Sequence, residues 1–452
     1  PVLVYQLCTR VEKASWRTYG GSITEEGIRQ EEGVIRDELR ALAGRAEFPV
    51  ELLPVSAVDS PKAVESAAAA NSDVILVYAH SGPQQWLETL AASGKPNLLF
   101  VRHRSGAFYL WYEIAHWRFL RKNGDEFAEP HMDVDDVVVD DYGEVLWRLR
   151  AFYGLKHARG TRSIAIGGLA PYSEPAGKYG PAHVKDVWGY EIVEVPAEEI
   201  ERRLARVRGD AAAMSECQRQ AADLIAQDHV TLATDERFVV NSFVAMRVFK
   251  EILRETGGTN LGVAHCMGSL IQLLDTPPCL VLSLLNDEGY TAFCHTDYSH
   301  TPPGVLLRWI SGKPPFACNT HFPHAGLMTL AHCAAPRRMN GRDFEPTKIV
   351  THYESDYGAA TKVEYPLGQV ITTIVPNLRC TKWYGFRGRI AASPAYDICR
   401  SQMDVEIDGD WRGLLRGMEG FHAVVVYGDY LREVGYALKK LKIDWENFTA
   451  EA

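Results

Sequence analysis

The chain has 452 residues, 46% of them hydrophobic and 23% charged, with a formal net charge of −10. At about 100 to 200 residues per domain this is material for two to four cores, and an acidic balance without a long basic run argues against a nucleic-acid partner. No window approaches about 18 uninterrupted apolar residues, so no membrane-spanning helix is expected.

The opening PVLVYQLCTR reads as a buried strand and lacks the charged and apolar regions of a signal segment. The expectation is a cytoplasmic protein with Pro1 exposed by removal of an initiator Met. The first third then alternates apolar runs with amphipathic stretches. VLVYQL, VELLPV, DVILVYA and NLLFVR read as strands, and helices are expected over residues 25–43, 63–70 and 86–92. Continuous Val, Ile and Leu runs between amphipathic helices predict a parallel sheet in an open α/β layer. A second such unit starts at Ser163 with SIAIGGLA and continues through YEIVEV, with helices over 197–208, 211–226 and 237–255.

The intervening GGLAPYSEPAGKYGPAHV, residues 167–184, reads as a loop. It follows a strand, but neither GxGxxG nor GxxxxGK[ST] is present, so a nucleotide site is not favoured. Beyond Pro336 the character changes to strands such as KIVTHYES, ATKVEYPLGQVITTIV and HAVVVYG, separated by Gly and Pro turns and closed by a helix over 431–441. The predicted fold class is α/β: two Rossmann-like parallel-sheet domains, 1–158 and 159–336, followed by a mainly antiparallel β domain, 337–452. Nine cysteines without a CxxC pair suggest neither a disulfide framework nor a zinc ribbon. Most are expected to be reduced and buried.

Imidazole is concentrated in one stretch. His265, His295, His300, His321, His324 and His332 are six of the fifteen histidines, far above an even spread. Imidazole ligates metals, moves protons near neutral pH and hydrogen-bonds hydroxyls. Around it lie CLVLSLLNDEGYTAFCHTD from Cys279, LLRWISGKPPFACN from Leu306, AHCAAP from Ala331, YPLGQVITTI from Tyr365 and GFHAVVVYGDYLREVGYAL from Gly420. DVILVYAH, PNLLFVRH and HWRFLRKNG from His116 give a weaker N-terminal match. In this order the segments resemble the L-fucose and L-arabinose isomerase family, especially its shorter fucose-isomerase-like members.

The resemblance implies a divalent ion, usually manganese, held by a Glu, an Asp and a C-terminal His, and proton movement between adjacent sugar carbons through an enediol. At the position resembling the family's Glu this chain has His295, and at the position resembling its Asp it has Asn319; His422 matches the family's histidine. Imidazole and amide in place of two carboxylates favour zinc, nickel or cobalt over a hard-cation manganese site. His295, His422 and one of His321, His324 or Asp297 are the expected ligands, His321 the first choice of the three.

His295 is the candidate general base, and Asp297, two residues away, would orient it. Asn319, His332, Trp309 and, reaching from a neighbouring subunit, His116 are the candidates for binding substrate, taken to be an unphosphorylated sugar or polyol. The resemblance also implies a homo-oligomer, a trimer or hexamer. Plainer readings stand beside these. HTDYSHTPP also reads as a turn in which Asp297 and Ser299 cap the next helix and His300 is exposed. Asp287 and Glu288 read as a strand-end turn, Glu354 and Asp356 as solvated, and Trp309 and Trp383 as packing residues. The leading function is a carbohydrate-active enzyme transferring a proton next to a carbonyl, by isomerisation, epimerisation or elimination. The other is a sugar-binding or scaffold homologue that has lost its ion.

Overall fold

In the first of the chain's two units, Pro1–Phe152, the apolar runs become β1 (Val2–Val4), β2 (Ser56–Val58), β3 (Ile75–Ala79), β4 (Asn97–Val101) and β5 (Val137–Val139). All pair in parallel in the order β2-β1-β3-β4-β5, an open doubly wound arrangement. The computed structural model describes residues 1–7, 12, 13 and 24–450; Cys8 to Arg10 of the opening segment lie outside the described residues.

Helix Glu25–Arg45 starts where the Thr24 hydroxyl accepts from Gly27 N at 3.0 Å. It buries Ile28, Ile35, Leu39 and Leu42, one face at helical spacing. The strand expected at VELLPV forms instead one step later, at Ser56–Val58. Pro54 supplies no N–H and restricts Leu53, so ladder pairing to β1 begins only beyond it, at Ser56.

The second unit, Tyr153–Ala452, contains β6 (Arg162–Ile166), β7 (Glu191–Val195), β8 (Val230–Leu232), β9 (Asn260–Val263) and β10 (Thr291–Cys294). Four of these form a second parallel sheet, β10-β9-β6-β7. Its order turns back beside β6, so the carboxyl ends of β6 and β9 flank a switch point, the place where open α/β sheets bind ligands. Helices Ala197–Gly209, Ala211–Ile225 and Glu236–Thr256 cover it with Leu204, Cys217, Phe249 and Leu253 among the core residues.

The chain then builds β11 (Phe316–Thr320), β12 (Leu327–His332), β13 (Thr347–Val350), β14 (Ala360–Val363), β15 (Val370–Pro376), β16 (Lys382–Ala392), β17 (Ser401–Ile407), β18 (His422–Tyr427) and β19 (Asp444–Asn447). Seven of these run β15-β18-β11-β12-β17-β16-β19, and a further β15–β16 pairing closes the first six into an antiparallel barrel-like sheet. β11 and β12 belong to it although they precede residue 337. β13 and β14 join β8 in a small sheet. Phe316, Cys318, Leu330, Ala423, Val425 and Met403 fill the barrel. Alternation along a strand therefore turns Asn319, Ala331 and His422 to its outer face.

Two local readings are corrected. Residues 174–186 are not loop but helix Glu174–Asp186. Ser173 caps it, accepting from Ala176 N at 3.3 Å, and Pro175 occupies the first turn, where its missing N–H costs nothing. Asp287 and Glu288 end a helix, Cys279–Asp287, rather than a strand. Asp287 is buried against Arg337 Nε at 2.8 Å, which explains an acidic residue in an apolar run. Among the described residues no single helix is long and apolar enough to cross a membrane.

Candidate metal centre

The site grows from the carboxyl end of β10. His295 follows Cys294 with φ +72°, a left-handed conformation that costs a side-chain-bearing residue about 1 to 2 kcal/mol. Opposite it Gly262 leaves no room for a side chain: a Cβ there would sit 2.6 Å from the His295 carbonyl oxygen. The chain then makes an Asx turn in which Asp297 Oδ1 accepts from Ser299 N at 2.8 Å. Helix Thr301–Ser311 follows, with prolines in its first turn and His300 at its N-cap position without a side-chain capping bond. This helix lies directly on β10, since a Cβ at Gly304 would be 2.1 Å from the Phe293 ring. The Thr296 hydroxyl accepts from Ala170 N at 2.7 Å, tying the segment after β6 to the same place.

From the barrel side β18 begins with His422, directly across from Asn319 of β11, so the two side chains share its outer face. There His422 meets the β10 segment. One carboxylate oxygen of Asp297 and one ring nitrogen each of His300 and His422 all lie within 4.8 Å of one another, and all three residues are buried. Asp297 Oδ2 and His422 Nδ1 are 3.9 Å apart, too far for a hydrogen bond. Two donors about 2.1 Å from a common ion in tetrahedral geometry stand about 3.4 Å apart.

Asp297 Oδ2, both ring nitrogens of His300 and His422 Nδ1 are buried with no hydrogen-bond partner. Isolated orphans occur elsewhere, but here one oxygen of Asp297 and one ring nitrogen each of His300 and His422 converge, and an unpartnered buried carboxylate oxygen is costly. One carboxylate and two imidazoles suit a divalent ion of the zinc, cobalt or nickel type, and also manganese.

Burial is the main force on these imidazoles. It lowers the pKa of His300 to about 4, with His295 pushing the same way and Asp297 and the Cys294 backbone opposing. Burial takes His422 well below its ordinary value, reinforced by His300, His295 and His332. His295 is lowered by burial against the pull of Asp297. Neutral imidazoles with available lone pairs result at neutral pH.

Of the residues expected from the sequence, Asp297 and His422 come together, and His295 stands beside them, its ring centroid 5.6 Å from that of His422. His300 is the correction: the turn at Asp297 exists, but His300 is 1% exposed and joins the group. Pro302 and Pro303 mark where the next helix starts, and the ring of His300 stands 5.1 Å from that of His422. His321 is outside the group, exposed and bonded through Nδ1 to the Thr329 carbonyl at 3.0 Å. His324 is likewise exposed, against the Phe322 carbonyl.

His332 ends β12, and its Nδ1 accepts from Ala334 N at 3.2 Å. Its environment lowers its pKa to about 3, by burial first and then by His295, His352 and His300. Trp309 lies in helix Thr301–Ser311 stacked on His157 at 4.5 Å, and Trp383 stacks on Trp188 at 5.6 Å. His116 is exposed in the first unit, edge-on to Phe127.

Sequence reasoning missed Tyr172. It is 59% exposed, yet its ring stands 6.0 Å from His295, 5.4 Å from His422 and 4.5 Å from Phe421. An aromatic face at a polar site is a stacking surface for a sugar or other ring. Its position in APYSEP, just before the Ser173 cap, was the signal. No protein-family model matches the chain, and no curated protein matches it.

Proposed function

We propose that this chain is a metal-dependent carbohydrate-active enzyme that moves a proton next to a sugar carbonyl. The observation that carries the reading is the set of converging orphan donors on Asp297, His300 and His422 at the end of β10. These residues would hold the ion. When bound, such an ion polarises adjacent sugar oxygens and acidifies the intervening C–H.

His295 lies outside the three-donor group and carries its imidazole on a left-handed backbone position. We assign it the proton transfer, because a neutral buried imidazole accepts a proton and returns it near neutral pH. Asn319, across from His422, offers an amide to a substrate hydroxyl, and the exposed ring of Tyr172, 5.4 Å from that of His422, offers it a stacking face. The order of segments that resembles the L-fucose and L-arabinose isomerase family, and the succession of two parallel sheets and an antiparallel barrel, support a sugar as substrate. The family's homo-oligomeric assembly is carried with that reading.

The test is solvent exchange. Protein loaded in turn with manganese, zinc, cobalt and nickel is incubated with aldoses and ketoses in deuterated water and followed by NMR. Deuterium is expected at the carbon next to the carbonyl. His295→Gln should abolish exchange while keeping the ion, and His422→Ala should lose both. If no ion and sugar pair exchanges, the enzyme reading fails; retained sugar binding in that case would identify a binding protein.

A further inference from the structure

Five cysteines converge in the second unit, and none of them belongs to the Asp297, His300 and His422 group. Cys266 and Cys294 are one hydrogen-bonded pair and Cys333 and Cys399 another, with Cys279 close to both. Around the second pair the surroundings are arranged for more than thiol packing. Cys333 directly follows β12, Glu354 lies in the turn after β13, and Cys399 lies just before β17. The two sulfurs and a carboxylate oxygen of Glu354 all lie within 4.8 Å of one another.

Each donor is held in place. His352 Nε2 lies 3.0 Å from Glu354 Oε2, and His352 Nδ1 is 3.1 Å from the Ser355 hydroxyl. Glu354 Oε1 is thereby left facing Cys399 Sγ at 3.5 Å. Ligating carboxylates in metal sites are themselves held by hydrogen bonds, a role His352 fills here. Arg400 N donates to Cys333 Sγ at 3.3 Å, and the backbone of Tyr353 is directed at the same sulfur. Two N–H donors aimed at one sulfur suit a thiolate better than a thiol. The Arg400 guanidinium is anchored on Thr351, by Nε to its carbonyl at 2.7 Å, and offsets negative charge nearby. Cys333 is buried, while Cys399 is only half-buried and Glu354 is exposed, which leaves an ion a way in.

We propose that Cys333, Cys399 and Glu354 form a second metal site, for a thiophilic divalent ion of the zinc type, distinct from the Asp297 group and independent of the proposed catalysis. Two sulfurs and one carboxylate suit zinc, and a hard cation such as magnesium would not choose them. Binding releases the two thiol protons to solvent and leaves the sulfur oxidation state unchanged. The ion joins three segments that are far apart in sequence. By fixing Cys333 it also fixes the strand end that carries His332, so its role is structural.

The experiment uses cobalt as the probe, because thiolate ligation gives a charge-transfer absorption in the near ultraviolet that imidazole and carboxylate ligands do not. The whole chain is reduced, stripped and titrated with Co²⁺, in wild type, His422→Ala, Cys399→Ser and Glu354→Gln forms. The band is expected in wild type and in His422→Ala, and zinc should displace it. Cys399→Ser should weaken the band-forming site about tenfold or more, and the exposed Glu354→Gln should weaken it comparably without moving the melting temperature of the metal-free protein. No band in reduced wild type, a band of unchanged affinity in either site variant, or a Cys333–Cys399 disulfide under these conditions would overturn the proposal.

Discussion

Two buried polar clusters of this chain, one in each unit, solve the same problem in opposite ways. In the first unit Arg102 is 0% exposed. Its Nε bonds Glu31 at 2.7 Å and its terminal nitrogens bond Glu38 at 2.6 and 3.1 Å. Tyr109 completes Glu31 at 2.5 Å and Tyr142 completes Glu38 at 2.7 Å. Every charge there has a partner supplied by the chain, so the network is structural and asks for nothing from outside. The Asp297, His300 and His422 group is buried as deeply, yet its donors face one another without bonds. Burial alone does not mark a site; burial with unspent bonding capacity does.

The sharpest way to break this comparison is to remove one member from each cluster. Arg102→Ala leaves the buried Glu31 and the half-buried Glu38 uncompensated and should cost about 3 kcal/mol or more, enough to melt the first unit early in a urea titration. Asp297→Asn keeps the Asx turn to Ser299 and deletes an unpaired charge. In chelator it should therefore leave stability unchanged or raise it by about 1 kcal/mol, while abolishing ion binding. A metal-free loss as large as that of Arg102→Ala would mean the Asp297 group is already satisfied, and the metal centre would fall.

A third buried carboxyl refines the contrast. Glu345 has neither an arginine nor an orphan cluster; it accepts from Met339 N at 3.3 Å and faces the Tyr427 hydroxyl and Asp287. Burial raises its pKa from 4.5 to about 7, so it solves the problem by keeping its proton. Between those values the unfolded chain releases a proton that the folded chain retains, and stability must fall as pH rises. Wild type should lose about 3 kcal/mol across that window relative to Glu345→Gln, read from paired denaturant titrations at pH 4.5 and 7.5. Equal slopes in the two proteins would show that folding leaves the Glu345 carboxyl unshifted. Ion binding to the folded state alone is the next effect in size: at a hundred times the dissociation constant, zinc or cobalt should stabilise wild type by about 2.7 kcal/mol. His422→Ala should lose the share that belongs to the Asp297 group.

Periodicity made the parallel layers legible, because a fully buried strand must be apolar on both faces and its helices on one. The closing of the barrel was not legible. It depends on β15 pairing with both β18 and β16, and no local pattern states that. At the site, Asp297 and His422 could be read from their motifs. His300 could not, since whether a histidine before Thr-Pro-Pro points inward is decided by what β18 places opposite it. The helix at Glu174–Asp186 was hidden by glycines and Pro181, although Ser173 and Pro175 were start signals.

His321 provides the smallest effect and the cleanest control on the reading of the histidine-rich stretch. It is as close to the motif residues in sequence as His300, and imidazole density alone gives it equal claim to an ion. Its ring, however, is exposed beyond the end of β11 and already bonded to the Thr329 carbonyl. An exposed side chain with one such bond contributes within about 0.5 kcal/mol. His321→Ala should therefore leave the melting temperature and the bound-metal stoichiometry where they are, measured beside His300→Ala, which should lose the ion. If the order were reversed, with His321→Ala losing metal and His300→Ala keeping it, the ion would sit at the hairpin after β11, and the orphan donors at the end of β10 would need another explanation.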